Sequence, residues 1–277
     1  MQNDQLQKYF SQLTLPKTNT HKGQNGKLLL IGGSELFHAA SKWSLDIASK
    51  FVDMVFYSSV KNNNNLIQKV KAEFWNGIVI EREAIEEYIQ EADCILIGPG
   101  MERNQETEVL VNALVTKYPD KKMVIDAGAL QMINPQLLNK NHIITPHTKE
   151  MIRLQKKLDA QKLTLDQLQS TVLLKNKVDT VTWYENSQDH AVNKKTLKIS
   201  GGNPGMTKGG TGDVLAGLIA ALYCTHDALV SSVVGSYVNK KAGDDLYHSV
   251  GPFFNASDLV AQVPKTLWDS LKKFSKS

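Results

Sequence analysis

Short apolar segments alternate with helical patterns along most of this chain, and the alternation restricts its possible folds more than any other feature. The segments are rich in Val, Ile and Leu, and each is followed by a turn signal and then by a helical pattern. They lie at residues 27–34, 53–59, 93–100, 122–128, 142–147 and 171–176. Runs that are apolar on both faces are typical of parallel strands covered by helices on either side. The sequence therefore predicts an α/β fold, doubly wound, with a mostly parallel central sheet and helices on both faces.

The pattern changes between residues 178 and 199, where the pieces VDTVTWYE, HAVN and TLKIS follow one another after short gaps. This spacing predicts antiparallel strands at the edge of the sheet. The rest of the chain reads as helices at 213–224, 227–248 and 255–263, the last with Asn255 or Ser257 as its N-cap.

The chain shows no internal repeat and no linker rich in Pro or Ser. We therefore expect one domain over residues 21–277, with residues 1–20 as an added N-terminal helix. The asparagine run at 62–65 is interpreted as a solvated loop, and the lysine-rich tail as a frayed end.

Composition and charge exclude several classes of protein. The chain has 277 residues, of which 42% are hydrophobic, so it can bury a large core. Its net charge of +4 comes from mixed acids and bases, with no basic block of the kind that binds nucleic acid. The longest apolar run, at 214–224, is too short to cross a bilayer, and the N-terminus lacks the pattern of a signal peptide. These features predict a cytoplasmic protein with no nucleic-acid or membrane partner.

The two cysteines, Cys94 and Cys224, lie far apart in apolar segments and belong to no CxxC motif or Cys/His cluster. This pattern predicts buried free thiols rather than a zinc site or a disulfide framework. No set of side chains is expected to hold a metal ion by itself.

The stretch GGNPGMTKGGTGDVLAG, residues 201–217, holds seven glycines and leads into an apolar helical run. A backbone without Cβ atoms can come close to a phosphate group, and a helix start adds unpaired N–H groups and the positive end of its dipole. We therefore expect Gly209, Gly210, Thr211 and Gly212 to form a phosphate cradle. The loop is not a Walker A motif, because no Gly-Lys-Ser/Thr follows the glycines.

Asp213 follows the cradle directly and is expected to begin the helix. A carboxylate at a helix start is usually a cap. Beside an anion cradle, however, a carboxylate that only caps the helix would repel the phosphate. We therefore interpret Asp213 as a general base that takes the proton of a hydroxyl attacking the phosphate, a role worth roughly 100- to 10,000-fold in rate. Backbone donors would stabilise the charge that develops.

Four other strand ends carry turns rich in Gly or Pro, namely IGGS at 31–34, IGPG at 97–100, IDAG at 125–128 and TPH at 145–147. In an open α/β sheet, ligands bind at the edge formed by the carboxyl ends of the strands. The sequence therefore predicts that a large ligand lies across this edge, next to the cradle.

Six motifs occur in a fixed order between about His21 and Val263, and they are HKGQNGKLLLIGGS, ADCILIGPG, VIDAGAL, ITPHTKEMIRL, VLLKN and GNPGMTKGGTGDVLAG. On these motifs the chain resembles the ADP/ATP-dependent NAD(P)H-hydrate dehydratases of the ribokinase-like superfamily. The last motif is the most specific of the six. The resemblance implies a ribokinase-like fold.

The resemblance also implies a metabolite-repair enzyme, a hydro-lyase that restores NADH or NADPH from its hydrate while consuming ADP or ATP. Asp213 would deprotonate the ring hydroxyl, which takes the terminal phosphoryl group of the nucleotide. The phosphate then leaves in an elimination that reforms the double bond, and Mg²⁺ would neutralise the phosphates of the nucleotide. A homotetramer is implied too, with the epimerase activity on a separate protein.

Matching the motifs position by position implies a hydrate-binding set and a nucleotide-binding set. The hydrate-binding set is Ala40, Gly100, His147 and Asp213, with Asp126 near metal-bound water or substrate. The nucleotide-binding set is Lys175, Asn176, Lys177, Val178, Asp179, Gly209, Gly210, Thr211 and Gly212. Taken without the resemblance, His147 could instead cap the helix TKEMIRLQKKL, with Glu150 in the same turn.

The sequence departs from the family pattern at several positions. His38 stands where a glycine is expected, and Gly128 replaces the second Asp of a DAD motif. Asn176 replaces a glycine, while Thr207 and Lys208 stand where smaller or uncharged residues are usual. Lys208 could help to bind phosphate or could fill the site.

Two other functions stay open at this point. A ribokinase-like kinase of a small alcohol would share the cradle and the Asp base, although the TPH and GNPGM segments argue against it. A catalytically inactive nucleotide-binding homologue would agree with the substitutions at 128, 176, 207 and 208.

Overall fold

The fold is built on one large sheet. The computed structural model describes residues 3–69, 77–186 and 192–274. The strands in these ranges are β1 (Lys27–Ile31), β2 (Met54–Ser58), β3 (Gly77–Val79), β4 (Cys94–Ile97), β5 (Lys122–Ile125), β6 (His142–Ile144), β7 (Thr171–Leu174), β8 (Asp179–Asn186) and β9 (Val192–Ile199). Their order across the sheet is β3-β2-β1-β4-β5-β6-β7-β8-β9.

The strand directions agree with the sequence. All neighbours from β3 to β7 pair in parallel, whereas β7, β8 and β9 pair antiparallel. The predicted parallel sheet and its antiparallel edge near residues 178–199 are both confirmed. The HAVN piece lies partly outside the described residues. The short strand β3 was not predicted.

Helices cover both faces of the sheet. They are α1 (Asn3–Phe10), α2 (His38–Ala48), α3 (Lys61–Lys69), α4 (Ile85–Glu91), α5 (Gln105–Lys117), α6 (Ala127–Met132), α7 (Thr148–Ala160), α8 (Leu165–Leu168), α9 (Thr211–Thr225), α10 (Ala228–Val250) and α11 (Ala256–Phe274). Alternate residues of β1 point to opposite faces. Leu28 and Leu30 pack in the core beneath α2, α9, α10 and α11, and Leu29 and Ile31 pack in the core beneath α4 to α7.

The C-terminal helices are longer than the sequence indicated. Helix α9 begins two residues before the expected start, and α11 continues through Pro264 to Phe274 instead of ending near residue 263. The apolar face of α11 stays buried beyond the proline, at Leu267 and Leu271. Burial of this face outweighs the hydrogen bond that a proline removes from a helix. The predicted frayed tail is therefore helical up to residue 274.

Asn255 is the N-cap residue of α11, the first of the two caps that the sequence offered. Its Oδ1 accepts hydrogen bonds from the backbone N–H groups of Ser257 at 2.7 Å and Asp258 at 3.3 Å. The Asp258 carboxylate accepts in return from the N–H of Asn255 at 2.8 Å. Reciprocal bonds of this kind satisfy N–H groups that a helix start leaves unpaired.

The interpretation of residues 62–65 as a solvated loop is wrong. These asparagines lie in α3, and two of them are buried. The Asn64 amide accepts from the N–H of Ser59 at 3.0 Å and donates to the carbonyl oxygen of Ile80 at 3.2 Å. The Asn63 amide donates to the carbonyl oxygen of Ser34 at 3.0 Å. The side chains therefore tie the ends of neighbouring strands together, which the polar composition of the run conceals.

The N-terminal helix is present but shorter than predicted. Helix α1 ends at Phe10, and the segment from residue 11 to residue 20 contains no helix. Phe10 packs its ring against Tyr237 and Phe274, with centroid distances of 5.6 and 4.9 Å. These contacts attach α1 to α10 and α11.

The most apolar run of the sequence folds as α9, which is buried along most of its length. The Cys224 thiol on this helix and the Cys94 thiol on β4 are both buried and free, as predicted. Across the described part of the chain, no helix combines the length and the apolar character needed to cross a membrane.

Helices α2 and α9 cross in close contact at Gly217. A Cβ at this position would lie 2.6 Å from Cγ2 of Ile47 and 2.7 Å from the carbonyl oxygen of Ser44. The Ser44 hydroxyl donates to the carbonyl oxygen of Asp213 at 2.8 Å and ties α2 to the first turn of α9. The absence of a side chain at Gly217 thus allows the close crossing of α2 and α9, which positions the N-terminus of α9.

We expect Gly217→Ala to lower the melting temperature. Alanine is the better helix former by about 1 kcal/mol, but a methyl group forced into a packed crossing costs roughly 1–3 kcal/mol. Thermal unfolding measures the sum of the two effects. Gly209→Ala is the matched control, because a Cβ there would meet no atom within 4 Å. An unchanged or higher melting temperature for Gly217→Ala would contradict the packing at this crossing.

Candidate active site

The carboxyl ends of the central strands are bonded into one continuous edge. The N–H of Gly33, after β1, donates to the carbonyl oxygen of Pro99, after β4, at 2.7 Å. The N–H of Asp126, after β5, donates to the carbonyl oxygen of Ile97 at 3.1 Å, and the N–H of Lys175 donates to that of Pro146 at 2.8 Å. All the predicted turns therefore meet at the edge where α/β sheets bind ligands.

The glycine loop leads into α9 at this edge. The first intrahelical bond joins the N–H of Val214 to the carbonyl oxygen of Gly210 at 2.9 Å. The backbone N–H groups of Thr211 and Gly212 therefore precede the helical ladder, as in an anion-binding helix terminus, and that of Asp213 is bonded to its own carboxylate. The Thr211 hydroxyl donates to the carbonyl oxygen of Met206 at 2.8 Å, so it braces the loop.

Gly210 can only be a glycine. It caps α9 with a φ of +94°, and a Cβ there would lie 2.5 Å from ring atoms of Trp43. A side chain at this position would be strained by the backbone conformation and would also clash with the indole ring. Gly209, by contrast, is exposed with open space beside it. Of the three glycines in the cradle, Gly210 is therefore required by the structure and Gly209 faces solvent.

A buried ion pair connects the ends of β5 and β7. Nζ of Lys175 lies 2.7 Å from Oδ1 of Asp126, whose residue is 1% exposed. The Thr145 hydroxyl, after β6, donates to the same oxygen at 2.8 Å. The pKa of Lys175 is raised, because the nearby carboxylates of Asp126 and Glu150 outweigh the lowering caused by burial. The ammonium group stays charged, directly across from Gly212, where a Cβ would lie 3.7 Å from its Nζ.

Asp213 is a partly buried carboxylate in the first turn of α9. Its pKa is raised to about 7; burial is the main cause, the negative charge of Asp126 adds to it, and Lys175 opposes both effects. A carboxylate with a pKa near neutral can accept a proton and release it again at physiological pH. The residue that the sequence singled out as a base therefore has the environment of one.

Ala40 and Gly100 meet beside this edge. A Cβ on Gly100 would lie 3.1 Å from that of Ala40 and 2.4 Å from the carbonyl oxygen of Phe37. Both residues are partly buried. The structure thus brings these two members of the predicted hydrate-binding set into contact, as small residues that leave room at the surface.

His147 is the N-cap of α7. Its Nδ1 accepts hydrogen bonds from the N–H groups of Lys149 at 3.0 Å and Glu150 at 3.4 Å, and the Glu150 carboxylate accepts from the N–H of His147 at 2.9 Å. The capping interpretation of His147, with Glu150 in the same turn, is confirmed. Because Nδ1 is an acceptor, the neutral ring carries its proton on Nε2. The side chain is 49% exposed, so this N–H remains available to a ligand.

Most of the predicted nucleotide-binding set lines one cavity of about 630 Å³. The members that line it are Lys175, Asn176, Lys177, Asp179, Thr211 and Gly212. The predicted residues Val178, Gly209 and Gly210 lie outside its lining. Pro204, Met206 and Leu215 add apolar surface to its walls.

Asp179 holds the cavity wall together. Its Oδ1 accepts from the N–H of Asn176 at 2.9 Å, and its Oδ2 accepts from the Ser236 hydroxyl at 2.7 Å. Nζ of Lys240 lies 3.2 Å from Oδ1 and donates to the carbonyl oxygens of Asn176 at 3.0 Å and Gly201 at 3.3 Å. The carboxylate therefore orders the loop around the cavity and has its charge paired within the protein.

The departures from the family pattern have local structural roles. A Cβ at Gly128 would lie 2.1 Å from the carbonyl oxygen of Met101, so no other residue fits there. The Asn176 Oδ1 accepts from the N–H of Lys177 at 2.8 Å, and the Thr207 hydroxyl donates to the carbonyl oxygen of Pro204 at 2.8 Å.

Two further departures, His38 and Lys208, also leave the cradle clear. The exposed His38 begins α2. The ammonium group of Lys208 donates to the carbonyl oxygens of Pro252 and Phe254, both at 2.5 Å. The Lys208 side chain therefore anchors the segment before α11. It neither points to a phosphate position in the cradle nor fills the site, which are the two roles that the sequence left open.

Three residues of the site were not identified from the sequence. Thr145 lies in the TPH turn, so its position at a strand end was the available signal. Lys240 and Asn239 lie in the middle of α10, away from every motif. A single sequence holds no pattern that assigns helix residues to a cavity formed by distant loops.

Comparisons with known proteins point to one family. A family model described as NAD(P)H-hydrate dehydratase matches residues 28–265. The bifunctional NAD(P)H-hydrate repair enzyme Nnr of Methanocaldococcus jannaschii is 36% identical over 260 residues, covering 90% of this chain and 50% of the relative. The ADP-dependent (S)-NAD(P)H-hydrate dehydratase of Nitrosopumilus maritimus is 30% identical, covering 89% of this chain and 90% of the relative. The chain thus spans about half the length of the bifunctional relatives.

Solved structures agree on the fold. A ribokinase-like superfamily protein from Enterococcus faecalis is similar with a TM-score of 0.80 at 22% identity, covering 98% of this chain and 95% of that chain. The ADP/ATP-dependent NAD(P)H-hydrate dehydratase of Bacillus subtilis, co-crystallised with ATP and Mg²⁺, is similar with a TM-score of 0.74 at 23% identity, covering 96% of each chain. The expected ribokinase-like fold is confirmed.

The raised pKa of Asp213 predicts a pH-dependent effect on stability. A carboxyl whose pKa is higher in the folded state than in the unfolded state loses its favourable contribution as the pH rises to the folded value, about 7. Asp213→Asn, which is neutral throughout, should therefore melt at a higher temperature than the wild type. The gap should be smallest near about pH 4, widen up to about pH 7 and stay constant above. Melting curves across this range check it, and a gap independent of pH would contradict the assigned environment.

Proposed function

The chain belongs to the NAD(P)H-hydrate dehydratase family, and we propose that it uses ADP or ATP to dehydrate NAD(P)H hydrate and so restores NADH or NADPH. The observation that carries this proposal is the Asp213 carboxylate, with its pKa of about 7, in the first turn of α9 beside the glycine loop. It combines a base with an anion-binding terminus in one turn of helix. Phosphorylation of a hydroxyl needs both.

Asp213 acts as the general base on the ring hydroxyl of the hydrate. It removes the hydroxyl proton as the oxygen forms a bond to the terminal phosphorus of the nucleotide, and the phosphorus–oxygen bond to ADP or AMP breaks. The ring carbon–oxygen bond then breaks, phosphate leaves with the electron pair, and a proton lost from the neighbouring carbon restores the double bond. Hydrate and nucleotide are thus converted to reduced cofactor, shortened nucleotide, phosphate and a proton.

The backbone N–H groups at the start of α9 stabilise the phosphoryl group in transit. Negative charge spreads over its equatorial oxygens during transfer, and preorganised donors cost no reorganisation at that moment. Lys175 adds a charged ammonium group on the opposite side of Gly212. Its ion pair with Asp126 holds that ammonium group in place.

The hydrate lies over the contact between Ala40 and Gly100 in this proposal. The small residues leave space for the nicotinamide ring, and the Nε2–H of His147 is available to donate to a ring substituent. The nucleotide occupies the 630 Å³ cavity, whose lining includes Lys175 and Gly212. The cavity therefore opens on the phosphate cradle from the side of β7 and α10.

Mg²⁺ fits this site as a companion of the nucleotide. Within the ranges that the structure describes, no three His, Cys, Asp or Glu side chains are grouped so that they could hold an ion. Mg²⁺ at phosphate sites usually relies on one or two carboxylates and on the substrate phosphates. Asp126, whose carboxylate lies 2.7 Å from the Lys175 ammonium group, would help to hold the ion, and the ion would neutralise phosphate charge. A separate epimerase, a tetramer and a cytoplasmic location stay predictions.

The decisive test is recovery of the near-ultraviolet absorbance of reduced cofactor when the protein meets NADH or NADPH hydrate, Mg²⁺ and ADP or ATP. Wild type should restore the absorbance with release of phosphate. Asp213→Asn should lower the rate by roughly 100- to 10,000-fold while the protein stays folded, because the base is lost and the shape is kept. Phosphate release that does not depend on hydrate would count against the dehydratase, and transfer of the phosphoryl group to an added small alcohol would favour a kinase. No release with tight nucleotide binding would favour an inactive homologue.

The pH profile tests the role of Lys175. In the wild type, kcat/KM should fall below about pH 7 as Asp213 becomes protonated. Lys175 lowers the pKa of Asp213, so Lys175→Met should move this acid limb to higher pH and reduce the rate as well. Lys198→Met, an exposed lysine on β9, is the control for loss of one positive charge. An acid limb that stays in place in Lys175→Met would contradict the electrostatic coupling.

A further inference from the structure

Two arginine side chains meet at one amide oxygen near the carboxyl edge of the sheet. Nη1 of Arg103 donates to Oε1 of Gln131 at 3.4 Å, and Nη1 of Arg153 donates to the same oxygen. Both arginines are exposed, and within the described residues neither has a carboxylate oxygen within 4.0 Å. A guanidinium group has five N–H donors and a fixed positive charge. Two like charges therefore lie close together, with donors that have no partner in the described part of the chain.

Gln131 is held so that its side-chain oxygen faces the two arginines. Its Nε2 donates to Oε1 of Glu150 at 3.0 Å, and its backbone carbonyl oxygen accepts from Nζ of Lys157 at 2.7 Å. A carboxylate only accepts hydrogen bonds, so the NH₂ end of the amide is directed to Glu150 and the oxygen end to the guanidinium groups. The other oxygen of this buried acid accepts from the N–H of His147 at 2.9 Å. The arginine pair is therefore oriented by an amide whose own position is fixed.

The pair lies beside the predicted hydrate-binding set and outside the nucleotide cavity. Arg103 follows Gly100 closely in the chain, and Arg153 lies in α7, whose N-cap is His147. The hydrogen bonds through Gln131 and Glu150 connect the guanidinium groups to the backbone of that N-cap. Neither arginine lines the 630 Å³ cavity. Their charges therefore face the ligand that contacts Gly100 and His147.

We propose that Arg103 and Arg153 form a binding site for a phosphate group of the dinucleotide hydrate. This inference rests on the proposed function, because it takes NAD(P)H hydrate as the ligand at this edge. The hydrate carries a pyrophosphate, and its NADPH form carries a 2′-phosphate as well. A guanidinium fork matches two oxygens of a phosphate group, and the phosphate would supply the counter-charge that the pair lacks. The two arginines bind and orient the substrate and take no part in phosphoryl transfer.

Titration with NADPH and NADH tests this site without turnover, because the restored cofactors carry the same phosphate groups as their hydrates. Arg103→Gln and Arg153→Gln should each weaken the binding of NADPH roughly tenfold in calorimetry, the range for one hydrogen bond to a charged group. Both side chains are exposed, so the variants should fold as the wild type does. Lys198→Gln on β9 is the control for loss of one positive charge and should bind NADPH like the wild type.

The two cofactors distinguish the two sources of phosphate. A loss of affinity confined to NADPH assigns the site to the 2′-phosphate, and equal losses for NADPH and NADH assign it to the pyrophosphate. Either result supports the site. ADP should bind all variants equally, because the arginines lie outside the nucleotide cavity. Unchanged affinity for both cofactors in the double variant Arg103→Gln/Arg153→Gln would overturn the inference, and so would an equal loss of affinity for ADP.

Failure of this inference and failure of the proposed function give different results. A double variant that binds both cofactors normally overturns the inference alone, provided that the wild type restores reduced cofactor from the hydrate. A wild type that binds the cofactors through the arginines but never restores them refutes the proposed function and leaves this site standing. A wild type that binds neither cofactor overturns both.

Discussion

The ion pair between Lys175 and Asp126 is the interaction on which the candidate site depends. It joins the residue after β7 to the residue after β5 across the end of β6, where Thr145 supplies a second bond to the same carboxylate oxygen. A buried charge without its partner is strongly destabilising, so removal of either group would leave the other buried without a counter-charge. Both charges also act on Asp213, and they act in opposite directions. The ion pair therefore links the strand ends, and its two charges also influence the pKa of Asp213.

Glycines, which have no side chain, determine the geometry around this ion pair as much as charges do. Gly128 allows its chain segment to lie against the carbonyl oxygen of Met101, and Gly217 allows α9 to lie against α2. Gly210 turns the chain into α9 beneath the indole of Trp43. Each close approach brings a backbone segment to a position that a Cβ would prevent. The replacement of a family Asp by Gly128 is thus a packing solution at the edge of the site, and Asp126, Lys175 and Asp213 keep their places.

The sequence predicted what depends on local pattern and missed what depends on distant contacts. Apolar runs and turns placed the parallel strands, and glycine density followed by an Asp indicated the start of α9 and the carboxylate with the raised pKa. The pairing of Lys175 with Asp126 joins positions far apart in sequence, so no periodic pattern in the sequence could have predicted it. The burial of Asn64 was hidden because a polar run looks solvated until the strands that it bonds are assembled. Asn239 and Lys240 lie inside a helix whose hydrophobic pattern reflects packing. That pattern therefore could not predict that the two residues line the cavity.

The raised pKa of Asp213 implies that the proposed reaction would need more than one cation. The phosphates of a nucleotide would bring several negative charges to the start of α9, and like charges raise the pKa of a carboxyl further. Without compensation, the base would be protonated when its substrates are bound. Lys175 already opposes the effect of Asp126 on this group, and Mg²⁺ bound with the nucleotide would oppose that of the phosphates. In the proposed mechanism, the ammonium group and the metal would therefore share one task, which is to keep Asp213 ionised until it takes the hydroxyl proton.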